Sequence, residues 1–235
     1  MTERGREALS RDASTLAIGP SSVHWDGNAL VFQIDEVTFP KPSRIRGQVR
    51  LIPHALVQHT AMLDSAGMHR WQPVAPSAHV DVQLDSPGLR WSGDGYWDSN
   101  YGDEPMEKSI RHWHWSRAKV QNDTAVIYDV TERNGGEKTL ATRFGRSGRI
   151  SEFEAPAHVK LPASGWRIAR ATRSEDGAAS IVRTMEDTPF YARSVISSRL
   201  FEESTTSMHE SLDLDRFRSR IVQLMLPFRM PRRRR

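Results

Sequence analysis

His79-Val-Asp-Val-Gln-Leu-Asp-Ser-Pro-Gly-Leu-Arg-Trp91 is the stretch on which the fold class turns. Val80, Val82 and Leu84 alternate with His79, Asp81, Gln83 and Asp85, the period of a strand with one apolar face. Ser86-Pro87-Gly88 supplies a reversal, and residues 89–91 start a second extended run. The same period continues on either side. Leu30, Phe32 and Ile34 alternate with Val31, Gln33 and Asp35, and Val126, Tyr128 and Val130 repeat the pattern. Asn134-Gly135-Gly136 reads as a hairpin before residues 139–144, and Ser147-Gly148 as a reversal before residues 150–153. Short strands punctuated this often by Gly and Pro predict an all-β chain, an antiparallel sandwich or barrel.

Helix signals are few: a short helix within residues 3–12 and one turn at 213–218. Residues 153–162, which hold Pro156 and Pro162, read as a linker or crossover. The expected division is therefore 1–155 and 156–235, with strands in the second part at 166–170, 179–185, 192–200, 206–212 and 221–226.

Composition narrows the function. The chain has 235 residues, 37% hydrophobic and 26% charged, the balance of a globular protein. Lys plus Arg is 33 against 29 for Asp plus Glu, and residues 232–235, all arginine, account for the whole excess of +4. With the basic charge confined to the tail, no nucleic-acid-binding face is expected. Zero cysteines exclude disulfides, thiolate nucleophiles and Cys-ligated metal centres. No apolar run approaches the roughly 20 residues that span a bilayer, and the first twelve residues lack an apolar leader core. These features predict a cytoplasmic protein. The apolar residues 221–226, followed by Phe228 and the arginines, suggest peripheral contact with an anionic membrane; a last strand with a disordered tail is the plainer alternative.

Three segments could carry chemistry. Trp91-Ser-Gly-Asp-Gly-Tyr-Trp-Asp-Ser-Asn-Tyr-Gly-Asp-Glu-Pro105 concentrates aromatics, glycines and carboxylates. If it is extended, Tyr96 and Asp98 share a face, and tryptophan walls could desolvate the carboxyl. A polar turn is the plainer reading of this composition. Arg111-His-Trp-His-Trp-Ser-Arg117 puts His112 and His114 on one strand face. Two such histidines could ligate a metal, but no third ligand stands at a diagnostic spacing, so histidines satisfied by hydrogen bonds in a core strand are preferred. Met68-His-Arg-Trp71 places His69 and Trp71 on one face. No Gly-x-Ser-x-Gly elbow, phosphate loop or dinucleotide fingerprint occurs.

Taken together, the segments resemble the acyclic carotenoid 1,2-hydratases, also called hydroxyneurosporene synthases. The resemblance is carried by Ile18-Gly-Pro-Ser-Ser22, His69-Arg-Trp71, Gly95-Tyr-Trp-Asp-Ser-Asn-Tyr-Gly-Asp-Glu-Pro105, Trp115-Ser-Arg-Ala118, Thr188-Pro-Phe-Tyr-Ala-Arg193 and Gln223-Leu-Met-Leu-Pro-Phe-Arg-Met-Pro231. It implies two lipocalin-like antiparallel β-barrel or sandwich units. Family members carry a further β-rich N-terminal stretch, so the N-terminal unit is expected to lack its first strands. It also implies a cofactor-free hydro-lyase that adds water to the terminal double bond of neurosporene or lycopene. The family's His-x-Trp and Tyr-x-Asp pattern falls on His69, Trp71, Tyr96 and Asp98.

The chemistry suits these residues. Hydrating a trisubstituted alkene needs a strong proton donor, and a carboxylic acid kept neutral by burial, Asp98, fits. Protonation at C2 leaves the tertiary cation at C1. The π faces of Trp71 and Tyr96 would stabilise it by roughly 0.5–2 kcal/mol each. His69 could position the water, take its proton or orient Asp98. Two other readings stay open on the sequence: a non-catalytic carrier of a hydrophobic ligand, and a pericyclic cyclase on the same fold.

Overall fold

The computed structural model describes residues 4–38 and 41–226. Every strand pairing in it is antiparallel. Among the described residues, the first sheet contains β1 (Leu9–Arg11), β2 (Thr15–Ile18), β3 (Ser21–Trp25), β4 (Leu30–Val37), β5 (Arg44–Pro53), β6 (Ala61–Met62), β7 (His69–Ser86) and β8 (Leu89–Gly102). Its order is β1-β2-β3-β4-β5-β7-β6, with β8 also pairing β7. The second sheet is built from β9 (Ile110–Val120), β10 (Asp123–Glu132), β11 (Glu137–Phe144) and β12 (Ile150–Glu152), together with β15 (Ala179–Asp187), β16 (Tyr191–Leu200) and β17 (Glu203–Asp213). Its order is β12-β11-β10-β9-β17-β16-β15. Between these stretches, β13 (His158–Leu161) and β14 (Arg170–Arg173) form a two-stranded ribbon.

The expected turns are where the glycines demand them. Gly88, Gly135 and Gly148 all have positive φ, at the β7–β8, β10–β11 and β11–β12 reversals. The β10 strand, Asp-Thr-Ala-Val-Ile-Tyr-Asp-Val-Thr-Glu, is buried along nearly its whole length. One face sends Ala125 and Ile127 into a core with Ala118, Val120, Ala141 and Leu200. The opposite face carries Tyr128. The segment at 91–105, ambiguous between turn and strand by composition, is a strand through Gly102.

The structure corrects several expectations. Of the helix expected within 3–12, residue 3 lies outside the described residues, and residues 4–12 do not make an α-helix: Arg6–Ala8 is a 3-10 turn that runs into β1. Of residues 166–170 only Arg170, which opens β14, is in a strand, because Gly165 and Trp166 form a turn and Arg167 adopts φ +61°, which a strand cannot accommodate. Asp187 anchors that turn by accepting hydrogen bonds from the backbone N–H groups of Gly165 and Trp166. At the C-terminus, the single turn expected at 213–218 is α1 (Leu214–Phe217), N-capped by the Asp213 carboxylate, which accepts the Arg216 N–H at 3.0 Å. Residues 221–226, expected as a strand, instead lie in α2 (Arg220–Met225) and the turn after it. Among the described residues no strand pairs with that segment, and Ile221 and Leu224 follow a helical spacing.

Contacts divide the described chain differently from the 155/156 boundary. One unit holds Met1–Val57 and Ala75–Trp97, and the other Gln58–Val74 and Asp98–Leu224. The reason lies in pairing: β17 lies beside β9, with Ser207 opposite Ala118 and Asp213 opposite His112, so one sheet draws strands from both sides of the expected linker. That linker itself contains β13. In the first unit Leu51, Ala75 and Ala78 form a core on which Leu30, Val80 and Trp97 pack.

Gly47 marks a register shift in β5, with φ +150° and Arg46 opposite Ser86 while Gly47 faces Leu84. A Cβ at this position would overlap the Gln83 carbonyl and the Leu84 Cα. Gly47→Ala should therefore destabilise the protein by about 1–3 kcal/mol in chemical denaturation. A variant as stable as the parent would show that the bulge is not constrained in this way.

Candidate active site

The candidate site is built on a tight hairpin. β6 runs back along the start of β7, with Ala61 opposite Trp71 and Met62 opposite Arg70, and the Leu63 N–H donates to the His69 carbonyl at 2.8 Å. The turn between them, Leu-Asp-Ser-Ala-Gly-Met, is rich in residues that bond their own backbone. Asp64 sits in this turn, 1% exposed, and its Oδ1 accepts the His69 backbone N–H at 3.1 Å. The turn is fastened to the end of β10 by Ser65, whose backbone N–H and hydroxyl donate to the Glu132 carboxylate at 2.9 and 2.7 Å.

Alternation along β7 then points His69 and Trp71 to the same side, and both are fully buried. The His69 ring bridges two oxygens. Its Nδ1 lies 2.9 Å from Asp64 Oδ2 and its Nε2 3.2 Å from the Glu104 carbonyl oxygen. Gly102 makes this approach possible, since a Cβ there would press on the His69 ring and the Met68 carbonyl. The Asp103 N–H donates to that same Met68 carbonyl at 2.9 Å, and Arg70 pairs with the Asp103 carboxylate at 2.9 Å. The end of β8 is thus held against the start of β7.

Asp98, half-buried on β8, meets Trp71 directly: the indole Nε1–H donates to Asp98 Oδ2 at 2.9 Å. Around Trp71 the rings of Tyr128, Phe144 and His59 pack edge-to-face, with centroids 5.9, 6.1 and 6.4 Å away. Trp113 adds another such contact on Tyr128 at 5.6 Å. Burial above all drives the Tyr128 phenol well above its ordinary value, so it stays a neutral donor. For Asp64, burial alone would push the carboxyl up. The hydrogen bonds from the His69 ring, the His69 backbone and the Met68 N–H outweigh that effect and hold it below its ordinary value.

Of the four residues expected from the sequence, Trp71 and Asp98 are brought into direct contact. His69 is anchored on Asp64 and Glu104. Tyr96 is half-buried on β8, in the portion that belongs to the first unit, next to Gly95, which closes on Ala78 and Val80. Sequence reasoning missed Asp64, Tyr128, Phe144 and His59. A tyrosine in the middle of an otherwise apolar strand was a usable signal for Tyr128; nothing local distinguished the others.

The histidines of β9 lie on the other face of their sheet. His114 Nδ1 is 2.9 Å from the Ser211 hydroxyl, which is 3.1 Å from His209 Nε2; His209 Nδ1 is in turn 2.9 Å from the Ser116 hydroxyl. The His114 and His209 rings stack with centroids 6.0 Å apart. These rings are satisfied by serines, and among the described residues no three His, Cys, Asp or Glu side chains are grouped to hold a metal.

The family model for carotenoid hydratase CrtC matches residues 1–235. The chain belongs to that family. It is 53% identical over 234 residues to the acyclic carotenoid 1,2-hydratase of Thiocapsa roseopersicina and 49% identical over 235 residues to that of Rubrivivax gelatinosus. Each alignment takes in 99% of this chain and 58% of the relative, so the chain spans little more than half the length of these two proteins. Among solved structures, a Nitrosomonas europaea protein assigned to AttH superposes with TM-score 0.57 at 8% identity, covering 88% of this chain and 72% of that one. At that identity the likeness is one of fold: all-β and lipocalin-like, of the AttH type. No helix among the described residues is long and apolar enough to cross a membrane.

The buried histidines make stability depend on pH. Burial first, and then the charge of its neighbours (His112 and His158 for His114; His114 and Arg170 for His209), lowers His114 to about 4 and His209 to about 3, against an opposing pull from Asp129 on His114. Below about pH 6.5 the unfolded chain takes up protons that the folded chain refuses, so stability falls as pH drops from 6.5 towards 4. Between pH 7 and 5 the loss should be roughly 2 kcal/mol for each of the two histidines in guanidinium titrations, and His209→Gln should make the dependence shallower. An unchanged slope in that variant would contradict the assignment.

Proposed function

We propose that this chain hydrates the terminal C1–C2 double bond of an acyclic carotenoid such as neurosporene or lycopene, with Asp98 as the acid. The observation that carries the reading is the Trp71 indole donating to Asp98 Oδ2 within a cluster of aromatic rings. An indole N–H only donates, so it holds one carboxyl oxygen in place while a proton to be delivered rides on Oδ1. Delivery to C2 breaks the O–H bond and the π bond together and leaves a tertiary cation at C1. Water adds there, loses a proton, and the acid is restored. Trp71, which holds the carboxyl, and Tyr96, two residues from Asp98 on the same strand, are the aromatics proposed to stabilise that cation. The relatives carry the name of this activity.

Incubated with lycopene, the chain should yield a product heavier by one water. Asp98→Asn should cut the rate by about 10²–10⁴-fold with folding intact. Trp71→Phe, which keeps an aromatic ring but removes the donor, should cost about tenfold or more. A polyene product of unchanged mass would favour a cyclase. Polyene binding with no turnover, unaffected by Asp98→Asn, would favour a carrier.

A second proposal concerns where the substrate is collected. Ile221 and Leu224 of α2 are 71% and 75% exposed, on one helical face, and are followed in the sequence by the arginines at 232–235. Apolar side chains beside cationic ones suit the surface of an anionic bilayer, where a polyene resides. Sedimentation with anionic vesicles should fall in the Ile221→Ser/Leu224→Ser variant, and equal binding would refute the contact.

A further inference from the structure

We propose that Asp64 is a positioning residue for this reaction, holding His69 as a doubly protonated clamp that fixes the end of β8, and that His69 therefore does not act as a base on the water. The inference rests on the hydratase reading for its kinetic consequences, but not for its geometry.

The argument is one of donors and acceptors. The Glu104 carbonyl can only accept, so the ring nitrogen 3.2 Å away must bring a proton. The other ring nitrogen faces Asp64 Oδ2 at 2.9 Å. Asp64 Oδ1 already accepts the His69 backbone N–H at 3.1 Å, a bond that favours the ionised carboxyl, which too can only accept. A neutral imidazole donates at one nitrogen and would set a lone pair against oxygen at the other. Only the ring with both protons satisfies both oxygens, and it forms a buried ion pair with the carboxylate. With side-chain exposures of 2% and 0%, His69 and Asp64 have no water to make up a missing partner.

Both ring nitrogens are consequently spent. Neither can take the proton that the attacking water must lose. What the ring does instead is mechanical: it ties the turn at Asp64 to the chain at Glu104, six residues beyond Asp98. Together with the close packing of Gly102, this sets how the Asp98 end of β8 meets Trp71. Asp64 touches none of the proposed reacting groups, and its effect passes entirely through His69.

The test has two arms. In the first, the ring nitrogens of His69 are observed by long-range 1H–15N correlation at neutral pH in the substrate-free chain, with His69→Gln providing the assignment. Two protonated nitrogens are expected in the parent and a single-tautomer neutral ring in Asp64→Asn. An unprotonated nitrogen in the parent would overturn the clamp whether or not the chain hydrates anything. In the second arm, Asp64→Asn should lower kcat on lycopene about ten- to a hundredfold with KM within about twofold. The same substitution in a His69→Gln background should cost nothing more. A parental kcat in Asp64→Asn, or losses that multiply in the double variant, would overturn the positioning role. A parent chain that turns over no lycopene would refute the hydratase reading alone, leaving the clamp to the spectroscopic arm.

Discussion

A carboxyl group and an indole N–H meet 2.9 Å apart between two strands, and the surrounding part of the second unit is organised around keeping them there. Each polar group taken out of water must find a partner or cost a few kcal/mol. Trp71 is fully buried, so its donor needs Asp98. Asp98 reaches it only if the end of β8 is pinned beside the start of β7. The pins are polar as well: His69 on Glu104, Asp64 on His69, and Ser65 on Glu132. The site is therefore a chain of satisfied donors and acceptors rather than a single tuned residue.

The two faces of the β9–β10 pair serve different ends. On one, Tyr128 and Trp113 contribute rings to the aromatic cluster around Trp71. On the other, His114, Ser116, Ser211 and His209 form a buried polar seam that grades into the apolar core of Ala118, Ile127 and Leu200. Because side chains alternate strictly, a slip of one residue in the β9–β10 register would exchange these faces. Trp115 opposite Tyr128 and His114 opposite Asp129 show the register that keeps them apart.

The partial length of the match to the hydratases gives these local constraints added interest. The chain covers 58% of the two relatives, yet hairpin, clamp and aromatic cluster all lie within its own second unit.

Much of this was legible from residue order alone. Period-two patterns at residues 80–84 and 126–130, with glycine at each reversal, determined that the chain would be antiparallel β, because side-chain alternation and positive-φ turns are local properties. The His-x-Trp and Tyr-x-Asp pairs were read for the same reason, since residues two apart on a strand share a face, and the fold brings Trp71 and Asp98 of those pairs into contact. Which strands became neighbours was not local. Placing β17 beside β9, and so drawing one sheet across residues 155/156, depends on pairing between segments almost a hundred residues apart. The fate of residues 221–226 was likewise not decided by their apolar character, since they wind into α2 instead of pairing as a strand. Asp64 became part of the site only when the turn at 63–68 folded back on His69, and Tyr128 only when β10 came to lie beneath Trp71. Composition names the groups capable of chemistry, but a hydrogen bond exists only where the folded chain brings donor and acceptor within about 3 Å.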